Sequence, residues 1–155
     1  MRLTVTAVGR LRRGPERELV DDYRARADAA GRGVGLFPVS VQEIDAKGGA
    51  EGEAQALLAS LPPEAALIAL DERGTEMSSE AFAALLARWR DEGRRDCVLM
   101  IGGADGFGRT VRDRADRTLA FGKMTWPHMM VRVMAMEQIY RAITILSGHP
   151  YHRGG

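Results

Sequence analysis

The chain has 155 residues, which is enough for one domain with a single core and too few for two domains of ordinary size. Hydrophobic residues make up 45% of it and charged residues 28%, an ordinary globular balance. The 22 basic and 21 acidic residues leave a net charge of +1, so total charge does not mark a nucleic-acid binder, and only the local placement of arginines can support one.

Cysteine use and hydropathy exclude two further classes. The single cysteine, Cys97, cannot form an internal disulfide, and its apolar surroundings predict a buried, inert thiol rather than a disulfide-stapled secreted protein. In residues 3–8, apolar residues alternate with threonine, and arginines follow the segment. A secretory signal peptide would instead have a longer, continuously apolar region. The longest mostly apolar segment follows Pro127 and contains three charged residues, so it does not predict a membrane span. We expect a cytoplasmic protein.

The first quarter of the chain predicts a strand, a helix and a second strand. Residues 3–8 form the first strand, and residues 15–30 form a polar helix with Pro15 in its first turn. Residues 35–44 are strand-like, although Pro38 predicts that part of this segment lies at a sheet edge or a bulge.

The middle of the chain predicts a helix, a short strand and another helix. Residues 50–61 are helical until two prolines stop them, and residues 67–70 form a short buried strand. Ser78 or Ser79 caps a helix that runs to about residue 92, because a serine hydroxyl can accept a hydrogen bond from the first free amides.

The last third predicts two strands and two helices. Residues 97–101 form a continuous apolar strand, residues 109–116 a short polar helix, residues 118–121 a weak strand and residues 127–146 a long helix. Short apolar strands that alternate with helices are typical of a parallel sheet covered on both faces. We therefore predict a single α/β domain over residues 1–155, with a mostly parallel sheet and helices on both faces.

Ligands of such sheets bind beyond the carboxyl ends of the strands, where loops enter helices. This rule directs attention to residues 71–74, 102–108 and 122–126. The glycines of the second segment, from Gly102 to Gly108, allow a ligand to approach the backbone closely, but their spacing fits neither a dinucleotide fingerprint nor a P-loop. A tight structural turn explains them equally well.

Residues 121–128 form a loop that enters the last helix, and the helix dipole favours acceptor groups at its start. Met124 and Trp126 could wall an aromatic purine there. Their spacing alone favours the alternative that they seal the core.

The last helix is apolar nearly all round and must be buried on more than one face. In a domain this small, that pattern favours a subunit interface over a central core helix. Glu137 and Arg141 are four residues apart and are expected to pair. In the tail, Tyr151, His152 and Arg153 could stack on a base, bind phosphate and handle a proton, and a solvated tail is the alternative.

Together these segments resemble the SPOUT-class ribosomal RNA large-subunit methyltransferases of the H type, which methylate N3 of a pseudouridine in 23S rRNA. The matching stretches run over the full length: Ala7–Gly9, Leu70–Gly74, Ile101–Gly103 with Gly106, Lys123–His128, Arg132–Met134, Glu137–Ala142 and Pro150–Arg153. The C-terminal third is the most specific part. The chain departs from the family at Arg10, where lysine is usual, at Ala104, where proline or serine is usual, and in two extra terminal glycines.

The resemblance implies a C-terminal trefoil knot and S-adenosylmethionine as the methyl donor, without a metal. It places the donor contacts on the three loops chosen above from the sheet rule. The residues implied to bind the donor are Leu70, Gly102, Phe121, Gly122, Lys123, Met124, Thr125 and Trp126. It also implies a homodimer through the C-terminal helix and a substrate of 23S rRNA within the assembled ribosome.

The expected chemistry is carried by the tail and by cationic side chains. Tyr151 and His152 are candidates for gripping the base, and His152 is the first and His128 the second candidate for the general base. Arg153 joins Arg132 and Arg141 as candidates for contact with RNA phosphates, and His128 is also a candidate for RNA binding. The tail of one subunit is expected to complete the pocket of its partner.

Two other functions are compatible with the fold class. A Rossmann-like nucleotide-binding oxidoreductase would need a glycine fingerprint after the first strand, where Gly9 is instead followed by arginines. A non-catalytic ribosome-binding assembly factor could share the fold, although the intact loops argue against it. Binding of S-adenosylmethionine in preference to NAD, with transfer of label to ribosomes, separates the three.

Overall fold

The computed structural model describes residues 1–104 and 106–153. Asp105 of the predicted glycine segment and the two terminal glycines lie outside the described residues. The strands are β1 (Arg2–Val8), β2 (Val39–Ile44), β3 (Ala66–Thr75), β4 (Asp96–Ile101) and β5 (Arg117–Leu119). The α-helices are α1 (Pro15–Gly31), α2 (Gly49–Ala59), α3 (Ser79–Asp91), α4 (Arg109–Arg114) and α5 (His128–Ser147), and a short 3-10 helix spans Arg32–Val34.

The strands form one sheet in the order β2-β1-β4-β3-β5, and every neighbouring pair is parallel. The predicted α/β class and parallel sheet are confirmed. Pro38 immediately precedes β2, which is an edge strand as its proline predicted. Ser78 caps α3, because its hydroxyl accepts a hydrogen bond from the amide of Ala81 at 3.0 Å.

Two boundaries differ from the sequence-based expectation. Residues 35–38 are not part of β2, because the chain first makes a 3-10 turn and then a left-handed step at Gly35. β3 continues beyond Leu70 to Thr75, where it pairs again with Leu119 after a register shift. The extension consists mainly of polar residues and lacks the alternation of apolar and polar residues that indicates a strand. The sequence therefore does not predict that β3 continues beyond Leu70.

The sheet separates two hydrophobic layers. Alternate residues of β4 divide between them, with Cys97 and Leu99 facing the layer of α1, α3 and α5, and Val98 and Met100 facing the layer of α2 and α4. The buried free thiol of Cys97 was predicted correctly, and burial raises its pKa, so the thiol stays protonated.

Helix α5 packs against α1, α3 and the central strands of the same protomer. Met136, Ile139 and Ile143 are fully buried there. Packing within one protomer therefore explains why this helix is apolar nearly all round. The apolar pattern no longer requires a subunit interface along the length of the helix. Exposed apolar side chains remain at its start, on Met129 and Met130. No described helix is both long and apolar enough to cross a membrane.

Candidate functional site

A cleft of ≈ 480 Å³ lies beyond the carboxyl ends of β4 and β5 and beside residues 70–73 of β3, and we call it the strand-end cleft. Its volume is in the range of about 300–1,000 Å³ typical of small-molecule sites. It is lined by residues 70–73, 101–104, 106–107, 119–122, 124–128 and 131. A smaller cavity of ≈ 340 Å³ shares residues 119–122 with it and is otherwise lined by residues 76–79, 82, 99 and 138, so it includes neither residues 70–73 nor the glycine segment. The strand-end cleft is therefore the candidate site.

The cleft brings together the segments that the sequence had singled out separately. Seven of the eight residues expected to bind a methyl donor line it: Leu70, Gly102, Phe121, Gly122, Met124, Thr125 and Trp126. Lys123 is exposed on the same loop but is not a lining residue. His128, expected as a base or an RNA contact, is exposed and lines the cleft.

Close backbone packing holds the β3 and β5 walls of the cleft together. At Gly74, a Cβ atom would lie 2.7 Å from the backbone nitrogen of Leu119, so only glycine fits. One residue later, the amide of Ala120 donates to the carbonyl oxygen of Thr75 at 3.1 Å. The extension of β3 thereby fixes where the chain leaves β5 and enters the cleft wall.

The β4 wall is a tight turn that also faces the cleft. The amide of Gly106 donates to the carbonyl oxygen of Gly103 at 2.9 Å, and Gly106 has a φ of +71°, a conformation that favours glycine. A Cβ atom on Gly102 would lie 3.1 Å from the carbonyl carbon of Gly106. The structural-turn and cleft-wall interpretations of these glycines therefore both hold.

The spacing of Met124 and Trp126 had favoured a role in sealing the core. That expectation is wrong, because the loop from Phe121 to Trp126 leaves both side chains exposed. Met124 is 76% exposed and Trp126 is 43% exposed, and both side chains border the cleft. The loop is held by two hydrogen bonds, from the Trp126 indole to the carbonyl oxygen of Phe121 at 3.0 Å and from the Thr125 hydroxyl to Glu72 at 3.2 Å. The exposed indole leaves an aromatic face available to a ligand.

The tail is docked on its own protomer, so the expectation of a solvated tail is wrong for Tyr151 and His152. The Tyr151 hydroxyl donates to Glu137 at 2.9 Å, and its ring meets Tyr140 edge-on at 4.7 Å between centroids. Burial, together with hydrogen bonding that includes Glu137, raises the pKa of Tyr151, so the phenol stays protonated. Residues 149–153 do not line the cleft of the described protomer.

Both ring nitrogens of His152 are occupied. Nδ1 lies 3.0 Å from a guanidinium nitrogen of Arg141, and Nε2 lies 2.8 Å from the carboxylate of Glu80. Because a guanidinium can only donate, Nδ1 accepts, and Nε2 carries the proton that it donates to Glu80. In this position His152 has no free lone pair with which to act as a base.

The two arginines on α5 differ in their availability to RNA. The expected pair of Arg141 with Glu137 is confirmed at 2.6 Å, and the Arg141 side chain is 27% exposed. Arg132 is 3% exposed and donates to Glu43 and to the carbonyl oxygens of Val8 and Gly9. A phosphate cannot reach Arg132 without breaking these bonds, so its expected contact with RNA is corrected to a structural role. Arg153 is exposed and donates to the carbonyl oxygen of Pro150 at 3.3 Å.

Sequence reasoning missed the contacts of two acidic residues beside the cleft, Asp71 and Glu53. Asp71 accepts a hydrogen bond from the amide of Arg73 at 3.0 Å and lies 3.9 Å from the guanidinium of Arg112 on α4. Glu53 on α2 lies against Gly103. Their partners are distant in sequence or are backbone groups, so no spacing pattern could have revealed them. Among residues 1–104 and 106–153, no three histidine, cysteine or acidic residues are grouped to hold a metal ion.

Comparison with known proteins gives matches over the whole chain. The protein family described as "Predicted SPOUT methyltransferase" matches residues 1–152. A protein named "Ribosomal RNA large subunit methyltransferase H" from Cereibacter sphaeroides (strain ATCC 17023) is 56% identical over 155 residues, which cover 99% of each chain. Proteins of the same name from Hyphomonas neptunium and Nitrobacter winogradskyi are 54% identical over 153 residues and 56% identical over 160 residues, covering 99% of this chain and at least 99% of each relative.

Proposed function

This chain belongs to the SPOUT methyltransferase family and is a methyltransferase, and from that premise we propose that it transfers a methyl group from S-adenosylmethionine to large-subunit ribosomal RNA. The observation that carries the proposal is the convergence of Leu70, Gly102 and Met124, which are 32 and 22 residues apart in sequence, on one cleft. The proposal of large-subunit ribosomal RNA as the substrate is taken from the names of the full-length relatives.

The residues around the cleft fit the proposed donor. Gly102 lines the cleft without a side chain, so a ligand can contact the backbone there directly. The exposed ring of Trp126 and the thioether of Met124 suit the flat adenine. Leu70, Gly102 and residues 121–126 would hold the donor, whose sulfonium supplies an electrophilic methyl group and leaves as S-adenosylhomocysteine.

We further propose N3 of a pseudouridine in 23S rRNA as the acceptor, on the strength of the C-terminal motifs at Lys123–His128, Glu137–Ala142 and Pro150–Arg153. Methylation there replaces an N–H bond with an N–CH₃ bond, so the N3 proton must leave to a base. The protein's main task is orientation, which can lower a barrier by roughly 7–11 kcal/mol at best. Within one protomer, His128 is the imidazole best placed to accept the proton, because it is exposed at the cleft.

We propose that the protein works as a homodimer through the start of α5. Four exposed apolar side chains cluster there and in the loop before it, and they support this surface: Met124, Trp126, Met129 and Met130. Such an exposed patch is typical of a subunit interface. In the dimer, Tyr151, His152 and Arg153 would reach the cleft of the partner, and His152 would have to give up its hydrogen bond from Arg141 to act as the base there.

A C-terminal trefoil knot is also proposed. It is supported by the route of the chain, which passes from β5 against the extension of β3 at Gly74 and then returns as α5 to pack between α1 and α3.

The test is calorimetric titration of the purified protein with S-adenosylmethionine and with NAD, followed by transfer of labelled methyl groups to ribosomes that lack the modification. We expect binding of S-adenosylmethionine only, and label in 23S rRNA at N3 of one pseudouridine. Binding of NAD instead, or label in a different macromolecule, would refute the proposal. Tight binding to ribosomes without any transfer would point to the assembly factor.

A further inference from the structure

The loop that joins β1 to α1, residues 9–14, carries three arginines, and we call it the arginine loop. Arg10, Arg12 and Arg13 are exposed, whereas Leu11 between them is buried. The buried leucine packs with Val20 and Val133 and holds the loop against the protein. The three guanidinium groups therefore point away from the protein in a short segment.

These three cations are not neutralised within the described parts of the chain. Twelve of the twenty arginines pair with a carboxylate at 4.0 Å or less, and none of the three in the loop is among them. Glu43, the carboxylate that touches the loop, accepts hydrogen bonds from the amide of Leu11 and from Arg132. A local positive field thus persists although the net charge of the chain is only +1.

The loop backbone is fixed by hydrogen bonds. Arg132 donates to the carbonyl oxygens of Val8 and Gly9 at 2.7 and 2.8 Å, and Arg17 donates to that of Leu11 at 3.0 Å. A ligand that binds here has only side chains to order, which lowers the entropic cost of binding. Arg132 therefore holds this loop in place and has its guanidinium occupied by protein groups.

The sheet places the loop beside the strand-end cleft. β1 pairs with β4 in parallel, with Ala7 opposite Ile101, so the arginine loop and the glycine turn at Gly102 leave the same edge of the sheet side by side. Arg132, which anchors the loop, directly follows Val131, a lining residue of the cleft. Arg109 at the start of α4 and Lys123 on the loop after β5 are exposed at this edge and also lack a carboxylate partner within the described ranges.

We propose that the arginine loop docks the sugar–phosphate backbone of the substrate RNA next to the nucleotide that is methylated. Guanidinium groups bind phosphate through paired N–H donors, and a fixed basic loop beside a methyl-donor cleft would set the register of the RNA strand. This inference rests on the proposed function, because it assumes that RNA is the acceptor.

The test compares two double variants of equal charge. Arg12→Gln with Arg13→Gln removes two cations from the loop, and Arg95→Gln with Arg117→Gln removes two from the opposite edge of the sheet, where β4 and β5 begin. All four arginines are exposed and have no carboxylate partner among the described residues. Affinity for unmodified ribosomes and for naked 23S rRNA is measured from 50 to 200 mM KCl, and calorimetry measures S-adenosylmethionine affinity.

For the loop variant we expect the slope of log affinity against log salt to fall by about 1.4–1.8, since each phosphate contact contributes about 0.7–0.9. Affinity at low salt should fall at least about tenfold. The opposite-edge variant should match the unaltered protein, and donor affinity should be unchanged in both. Equal effects of the two variants, or none in the loop variant, would overturn the inference.

Two outcomes keep this inference separate from the proposed function. If the unaltered protein neither binds S-adenosylmethionine nor labels ribosomes, the proposed function fails. If it does both and the loop variant loses affinity for ribosomes but not for naked 23S rRNA, the loop contacts ribosomal protein and the RNA-docking inference alone fails.

Discussion

The guanidinium of Arg132 on α5 lies 3.0 Å from the carboxylate of Glu43 on β2, across 89 residues of sequence. Burial lowers the pKa of Arg132, and the neighbouring Glu43 opposes that shift, so the side chain remains charged. The same guanidinium also binds two carbonyl oxygens of the β1–α1 connection. One buried cation thus ties together an edge strand, the first loop and the last helix.

Replacing Arg132 with methionine should therefore destabilise the protein. We expect a loss of about 2–4 kcal/mol in the free energy of unfolding, because two carbonyls lose their donor and Glu43 loses its partner. Urea denaturation measures the change. Arg88→Met, which breaks an exposed pair with Glu92, is the matched control and should cost less than about 1 kcal/mol. A cost for Arg132→Met no larger than that of the control would contradict the structural role of Arg132.

Substitution of Gly102 by valine should close the strand-end cleft. The new side chain would press on the backbone at Gly106 and on the ring of Phe107, both of which line the cleft, so we expect at least a tenfold loss of S-adenosylmethionine affinity by calorimetry. Gly33→Ala, at a site with no atom within 4 Å of the added Cβ, is the control and should bind normally. Normal donor affinity in the Gly102 variant would remove the cleft as the binding site.

Truncation after Gly148 should separate methyl transfer from donor binding. It removes Tyr151 and His152 with their contacts to Glu137 and Glu80, but no residue that lines the cleft in the same protomer. We expect methyl transfer to ribosomes to fall at least a hundredfold while calorimetric affinity for S-adenosylmethionine stays within about twofold. A chain that ends at Arg153 is the control. Unchanged turnover after the longer truncation would rule out a role of the tail.

The docking of the tail should weaken in acid. The hydrogen bond with His152 lowers the pKa of Glu80, so its contribution is fully present above the ordinary glutamate value of about 4.3 and is lost as the pH falls through the lowered value. Ring resonances of His152 and Tyr151, followed by NMR from pH 6 to pH 3, should report release below that value. Glu80→Gln should show no such transition, and an identical transition in that variant would assign it to another group.

The class of the fold followed from the alternation of short apolar runs with helices, as at Cys97–Ile101, whose residues are all buried. The order of the strands did not follow, because it depends on contacts such as Arg2 with Asp96, far apart in sequence. For helix α5, the sequence predicted burial but not the partner that buries it. Its apolar sequence established burial but could not show whether α1 and α3 or a second subunit covered it.

The position of the candidate site was predictable, whereas its charge network was not. The rule that ligands bind at the carboxyl ends of parallel strands located Asp71, Gly102 and Trp126 without knowledge of strand order. It could not show that Arg132 is buried, because a sequence does not reveal a partner such as Glu43. Nor could it show that His152 is bonded to Glu80 on α3.

The packing of α5 between α1 and α3 has a consequence for how the protein is made. The last helix completes the hydrophobic layer that the first helix begins, and residues 119–122 and 124–127 just before it build one wall of the strand-end cleft. Domains fold as units once their chain has emerged during synthesis. A nascent chain that still lacks α5 therefore has neither a finished hydrophobic layer nor a complete cleft, so the core and the candidate site form together once this helix has been made.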